Sequence, residues 1–414
     1  RAVERHAIVI GAGLAGSSAA ERLAARGWRI SLVERAATPG AGASGNLAGV
    51  LRPLPSVDDN RLARLTRAAF EYALTHLQAL TTAGLPLRWG QTGVLHLARD
   101  ERHAATQQRV VTEQEPASAY LRWVAREAAS ELAGWPVADG GWWFAGGGWV
   151  DPASLCRANL ARHGAAVVPH YRRAVERIEY AAGCWRCFSG SGETIAAAPI
   201  LVLANAGDAR RFAATSHLPL RTARGQVSHL PATAGSAPAV VVCRLGYVTP
   251  AIDGLRCAGA TFAVDDDEAG LRAADHAENL ARLEFILPGY SRHIDAAGLG
   301  GRVGFRPLSP DRLPMIGAVA DAAALDGQGA AATLADLRRV PGLFVVNGFG
   351  ARGIVWSALA GELLACLIER SPPALAADLV AAVDPGRFLL PRQRQRLRTG
   401  GPQRRGSAPE RGDD

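Results

Sequence analysis

Gly11-Ala12-Gly13-Leu14-Ala15-Gly16 follows an apolar run, His6-Ala7-Ile8-Val9-Ile10, and precedes a helix-forming stretch from Ser17 to Arg26. A turn at Gly27 and a second strand-like run, Trp28 to Val33, lead to Glu34. This strand, glycine turn, helix, strand and acid order can hold a dinucleotide, and each part has a physical task. Gly11 permits the tight turn, Gly13 lets backbone approach a pyrophosphate, and Gly16 lets the helix pack on the strand. The helix N-terminus offers unpaired N–H groups and the positive end of a dipole to phosphate. Glu34 stands where a carboxylate accepts from ribose hydroxyls, and it would repel a 2′-phosphate. The motif therefore selects an adenine dinucleotide with a free 2′-hydroxyl, without separating NAD from FAD.

The remaining chemistry is narrowed by what the chain lacks. All 46 basic residues are arginine, so no lysine Schiff base or lysine general base is available. Of the six cysteines only Cys184 and Cys187 form a CxxC, with no second ligand pair at zinc spacing, so they read as structural thiols and no metal site is expected. His217, His229, His276 and His293 read as structural or exposed, leaving no evident general base. The net charge is +8, and residues 386–414 carry eight Arg against three acids. That tail suits RNA phosphates or a solvated, disordered end. No signal peptide and no apolar run of transmembrane length are read, which predicts a soluble, cytoplasmic chain. The start at Arg1 without Met predicts a trimmed or missing N-terminal segment.

These residues need elements to position them. Thr38 to Pro55 reads as an extended loop, Asn60 to Ala83 as an amphipathic helix, Arg88 to Leu97 as strands, and Glu101 to Leu132 as a polar helix. The three tryptophans between Trp142 and Val150 read as a core cluster, with base stacking as the other reading. Asp151 and Pro152 mark a helix start, reaching to Arg162. Residues 165–205 read as a β-meander ending in Ile200 to Gly207, and residues 216–300 as β-rich with turns at Gly225, Gly246, Asp253-Gly254 and Gly259. Leu343 to Val346 reads as a buried strand, followed by Asn347 to Gly353 and an apolar helix from Ile354 to Glu369.

Taken together these pieces resemble the FAD-dependent D-amino-acid-oxidase-like superfamily, which includes glycine oxidase and sarcosine oxidase. The resemblance rests on the Gly11-Gly13-Gly16-Glu34 unit, Gly42-Ala43-Ser44-Gly45-Asn46-Leu47-Ala48-Gly49, Gly148 to Pro152, Ala204-Asn205-Ala206-Gly207, and Arg224-Gly225-Gln226. It also rests on Gly304-Phe305-Arg306-Pro307 with Asp311 and Pro314, and on Gly348 to Gly353. Within the superfamily the chain is most similar to the flavin module of the MnmC tRNA-modification family. The matching runs are Gly42 to Asn46, Gly49 to Leu54, Arg312 to Gly317 and Gly350 to Gly353.

The resemblance implies an α/β fold: a Rossmann-like FAD-binding domain interleaved with an antiparallel-sheet substrate domain, as in glycine oxidase. The FAD-binding parts would be 1–85, 146–215 and 301–385, and the substrate parts 86–145 and 216–300. It implies FAD held by Gly11, Gly13, Gly16, Glu34, Ala43, Ser44, Gly45, Gly207, Gly348, Gly350 and Gly353. The turn at 348–353 would aim a helix N-terminus at the flavin's N1 and O2 edge. It implies oxidation of a secondary amine, with a hydride leaving the carbon beside nitrogen for flavin N5 and water hydrolysing the imine. In the MnmC-like reading the substrate is 5-carboxymethylaminomethyl(-2-thio)uridine at the tRNA wobble position, with glyoxylate leaving and an aminomethyl group remaining. Arg306 would hold the carboxylate, with an ion pair to Asp311 as its alternative role, and Tyr247 would assist through its hydroxyl. Arg52 and Arg352 are further candidates, near the flavin or on RNA phosphate. A methyltransferase module precedes the flavin module in this family and would be a partner in the same or a separate chain; no membrane partner is implied. Two other readings stay open: a glycine or D-amino-acid oxidase or dehydrogenase, and a flavin-bound RNA-binding protein without turnover.

Overall fold

The computed structural model describes residues 4–233, 235–326 and 333–390. Its nucleotide-binding half is a six-stranded sheet in the order Met315–Ala320, Arg339–Asn347, Ile200–Leu203, His6–Ile10, Arg29–Val33, Val167–His170. All neighbours are parallel except Met315–Ala320, which runs antiparallel at one edge. The continuous apolar run at 6–10 follows from burial on both faces. Ala7 and Val9 pack with the helices, while Ile8 and Ile10 pack with Trp185, Cys187 and the three-stranded antiparallel sheet of Arg177–Ala181, Cys184–Phe188 and Thr194–Ala198.

Helices Leu14–Ala24, Arg61–Thr82, Pro152–Ala161 and Gly353–Glu369 cover the first face. Their starts are written in the sequence. Asn60 accepts from Ala63 N at 3.1 Å, and Asp151 accepts from Ser154 N at 3.0 Å ahead of Pro152. The segment Gly350–Glu369 is long and apolar enough to cross a membrane, with mean hydropathy 1.5, contrary to the expectation of no such run. It packs on Leu14–Ala24 and Arg61–Thr82, so its apolarity serves the core. Gly361 permits that approach, since a Cβ there would lie 2.5 Å from the Ser18 carbonyl oxygen.

The second half is a large, mainly antiparallel sheet. Strand Arg221–Pro231 pairs with Leu255–Gly259, Ala263–Val264 and Gly300–Leu308, and the sheet continues through Tyr247–Val248, Val241–Cys243, Val94–Leu97, Gly141–Phe144 and Arg122–Val124. The chain thus crosses between the two large sheets several times. Gly300–Leu308, expected at the start of the third FAD-binding part, pairs along its length with Arg221–Pro231.

Several elements differ from their sequence reading. Residues 101–132 are two helices, Glu101–Gln114 and Arg126–Ala133, separated by a strand at Arg122–Val124, because Glu115 ends the first helix in the left-handed region at φ 43°. Ala273–Ile286 is a helix inside the stretch read as β-rich, and Gly225 lies within a strand, not in a turn. Of the stretch 165–205, Val167–His170 and Ile200–Leu203 join the parallel sheet and only the segments between form a meander. Gly49–Leu51, expected to be loop, pairs with Gly148–Val150. Trp142 and Trp143 are buried, so the base-stacking reading fails for them. Cys184 and Cys187, three apart on one strand, face opposite sides of it and cannot share a ligand.

Candidate active site

A cavity of about 650 Å³ opens where the carboxyl ends of the parallel strands meet the large sheet. Ile10, Val33, Ala204 and Asn347, each at the end of a parallel strand, line its floor, the usual ligand position in a parallel sheet. Gly11, Gly13, Glu34, Ala43, Ser44, Gly348, Gly350 and Gly353 line it too, as do Tyr247 and Arg306 from the large sheet. Gly16, Gly45 and Gly207 do not line it.

The glycine turn has the geometry a phosphate needs. Gly11 sits at φ +103°, and a Cβ there would stand 2.6 Å from the Ala204 carbonyl oxygen. Gly13 caps helix Leu14–Ala24 without a side-chain bond, leaving the helix N-terminus open apart from Leu14 N, which donates to Ser44 Oγ at 3.0 Å. A Cβ on Gly16 would run into the Gly11 carbonyl, so Gly16 acts by closing helix on strand. The Glu34 carboxylate accepts from Ala12 N at 2.7 Å and Ala36 N at 2.8 Å. Each oxygen keeps a lone pair for a ribose hydroxyl. Asn205 lines the cavity, and its buried Oδ1 has no partner among the described residues. An open helix N-terminus, a carboxylate with spare acceptors and an unsatisfied amide oxygen together fit a bound adenine dinucleotide.

The loop carrying Ala43 and Ser44 is held by a residue the sequence did not single out. Arg302 Nη2 donates to the carbonyls of Ala41 and Gly42, each at 2.6 Å, and its guanidinium occupies the space a Cβ on Gly45 would need. Nothing in local sequence signals this contact, because Arg302 is some 260 residues away along the chain.

At the other end of the cavity Arg306 projects from strand Gly300–Leu308. Its guanidinium lies over Gly225, where a Cβ would collide with it, so the Arg224-Gly225-Gln226 run seats the arginine. Arg306 Nη1 donates to Thr261 O at 3.2 Å. It does not pair with Asp311, whose carboxylate is taken by Arg387 at 2.8 and 2.9 Å. Burial lowers the Arg306 pKa from its ordinary value, while Tyr247 and Cys257 oppose that shift. The Tyr247 hydroxyl lies 3.3 Å from Ala48 O and 3.4 Å from Cys257 Sγ. Burial, with Cys257 adding, raises its pKa well above the ordinary phenol value against the pull of Arg306, so it stays a proton donor. Arg52 and Arg352 also line the cavity. Burial, with Arg52 and Arg312 nearby, pushes Arg352 down to about 10, which still leaves it cationic at neutral pH. No histidine lines the cavity among the described residues, and its acids are Glu34, Glu176 and Asp208.

The Arg-rich tail, read either as a phosphate-binding arm or as a solvated, disordered end, begins as neither. Arg387 is committed to Asp311 and to the carbonyls of Leu313 and Asp384, each carbonyl at 3.0 Å. The tail arginines after Leu390 lie outside the described residues.

The profile of the FAD dependent oxidoreductase family matches residues 6–367. The chain is 59% identical over 399 residues to the tRNA 5-methylaminomethyl-2-thiouridine biosynthesis bifunctional protein MnmC of Aromatoleum aromaticum, a match covering 96% of this chain and 62% of that protein. It is 54% identical to the MnmC protein of an Azoarcus species, covering 94% and 61%. The chain therefore spans about three fifths of the length of these relatives. Among solved structures, glycine oxidase from Geobacillus kaustophilus superposes with a TM-score of 0.71 at 23% identity, covering 92% of this chain and 98% of that one. Iminodiacetate oxidase from a Chelativorans species does so with 0.71 at 24%, covering 91% and 98%. These last two share the fold. With the glycine cradle, the open helix N-terminus and a match over most of its length, this chain belongs to the FAD-dependent oxidoreductase family, and its cofactor is FAD.

Proposed function

We propose that the protein oxidises the secondary amine of 5-carboxymethylaminomethyl(-2-thio)uridine at the wobble position of tRNA. The C–N bond to the carboxymethyl group is lost after a two-electron oxidation and addition of one water. The products are glyoxylate and 5-aminomethyl(-2-thio)uridine. Bound FAD supplies the acceptor for the two electrons. Gly11, Gly13 and the helix they open would hold its pyrophosphate, Glu34 its ribose, and the turn at Gly348, Gly350 and Gly353 its ring end, with Ala43 and Ser44 alongside. Gly45 leaves room for the Arg302 guanidinium that fastens the Ala43 loop, and Gly207, just past strand Ile200–Leu203, does not line the cavity.

The observation that carries this reading is Arg306: a cavity-lining guanidinium with no carboxylate partner among the described residues, held by Thr261 O and backed by a protonated Tyr247. A carboxylate supplied by the substrate completes that arrangement, with the planar fork fixing its orientation. Arg306, Arg52 and Arg352 also disfavour a second positive charge, so the substrate amine binds neutral and no protein base is required to deprotonate it. The similarity to bifunctional proteins named for tRNA 5-methylaminomethyl-2-thiouridine biosynthesis supports tRNA as the carrier of that amine; a cytoplasmic setting and a methyltransferase module as partner complete the proposal. The test is trapping of glyoxylate from tRNA bearing the carboxymethylaminomethyl group. One glyoxylate per modified nucleoside is expected; glyoxylate formed only from free glycine would replace this reading with a free-amino-acid oxidase.

A further inference from the structure

Seven large apolar side chains are exposed among the described residues, and two of these, Leu245 at 54% and Phe262 at 51%, line the cavity. Single exposed apolar residues are ordinary. These two differ because they share one concave site and sit on backbone that is tied down. Leu245 holds φ 53°, a left-handed conformation that a branched side chain adopts only under constraint. The constraint is its neighbour Arg244, nearly buried, which donates to Phe285 O at 3.1 Å and Arg99 O at 3.0 Å and pairs with Asp139 at 2.5 Å. Phe262 follows Thr261, whose N donates to Gln226 O at 3.1 Å and whose Oγ1 accepts from Gln226 N at 3.0 Å. The Ala260 carbonyl is held by Arg282.

The same segment anchors Arg306 through Thr261 O. Phe262 stands one Cα step, ~3.8 Å, beyond Thr261, and the pairing of Tyr247 with Gly259 brings Leu245 beside the same segment, so both lie next to the residue that holds Arg306. A free amino acid held by Arg306 and Tyr247 would carry nothing to cover the two apolar residues. A substrate with a flat heterocycle beyond the amine would have an apolar face to set against them. We infer that Phe262 and Leu245 grip the nucleobase of the substrate, Phe262 by ring stacking and Leu245 as the facing apolar wall. This deepens the tRNA reading and rests on it. The pre-set backbone removes much of the ordering cost of such a grip.

The test compares two substrates on the FAD-loaded protein: the nucleoside 5-carboxymethylaminomethyluridine, and N-ethylglycine, which keeps the carboxymethylamine but has no ring. Phe262→Ala and Leu245→Ala should raise KM for the nucleoside, by about 5- to 150-fold for Phe262→Ala, with kcat within about twofold. N-ethylglycine kinetics should be unchanged. Phe262→Tyr should restore the nucleoside KM, and Phe262→Leu should not. Binding of the unreactive 5-(3-carboxypropyl)uridine, which replaces the amine NH with CH2 and keeps the linker length, should weaken in parallel when followed by flavin absorbance. Equal effects on both substrates, no effect, recovery with Leu, or a wild-type protein that prefers N-ethylglycine would each overturn the clamp. Each of these can occur while tRNA is still modified, whereas unmodified tRNA beside an intact nucleoside preference refutes the tRNA reading alone.

Discussion

Replacing Arg306 with alanine should leave a folded, yellow protein with little turnover. The side chain is half-buried, and among the described residues its one hydrogen bond is the 3.2 Å contact to Thr261 O, with no carboxylate partner stranded by its loss. The cost therefore falls on the substrate, whose carboxylate would enter a desolvated site without its counter-charge. Truncating one partner of such a pair costs about 2–5 kcal/mol, which lowers kcat/KM roughly 30-fold to several thousand-fold. Arg306→Lys should recover only part of the loss, because an ammonium restores charge without the planar fork. The assay is steady-state turnover of the nucleoside, with flavin absorbance per protein as the measure of retained FAD. Activity within about threefold of wild type in the alanine variant, a loss below 1 kcal/mol, would place the carboxylate anchor elsewhere.

Gly225→Ala should imitate Arg306→Ala in milder form, raising KM while FAD stays bound, since the added methyl displaces the guanidinium lying over it; kinetics and flavin content check this. Glu34→Arg should empty the cofactor site, because it removes the acceptor for Ala12 N and Ala36 N as well as for the ribose; the purified protein should be colourless. Activity should rise with pH as the substrate amine deprotonates and should not fall through ionisation of Tyr247 up to pH 10, because burial holds that phenol well above its ordinary value. A pH profile of kcat/KM in wild type and Tyr247→Phe checks this, and a wild-type alkaline limb near neutral pH that vanishes in Tyr247→Phe would refute it.

The nucleotide end of the site was legible because its signals are local. Gly11, Gly13, Gly16 and Glu34 act within one strand-turn-helix-strand unit, and the caps Asn60 and Asp151 act within one helical turn. The substrate end depends on pairing across the large sheet. Arg306 could be named only by resemblance; the glycine beneath it, and the Thr261 carbonyl that holds it, are set by strand register. Arg302 fastening the loop at 41–42 and Asp311 turning to Arg387 are long-range choices with no local mark. The tryptophan-rich stretch offered rings for stacking, but strand pairing buries Trp142 and Trp143, and the exposed ring at the cavity belongs to Phe262, in a stretch read only as β-rich.

The claim that this cavity works on a tRNA side chain is decided by nucleoside analysis of tRNA carrying 5-carboxymethylaminomethyl(-2-thio)uridine, before and after incubation with the FAD-loaded protein. Conversion to 5-aminomethyl(-2-thio)uridine is expected, slowed at least about 30-fold in Arg306→Ala and far faster than oxidation of glycine, sarcosine or D-amino acids at equal enzyme concentration. An unaltered nucleoside profile, with free amino acids consumed at a normal rate, would contradict it.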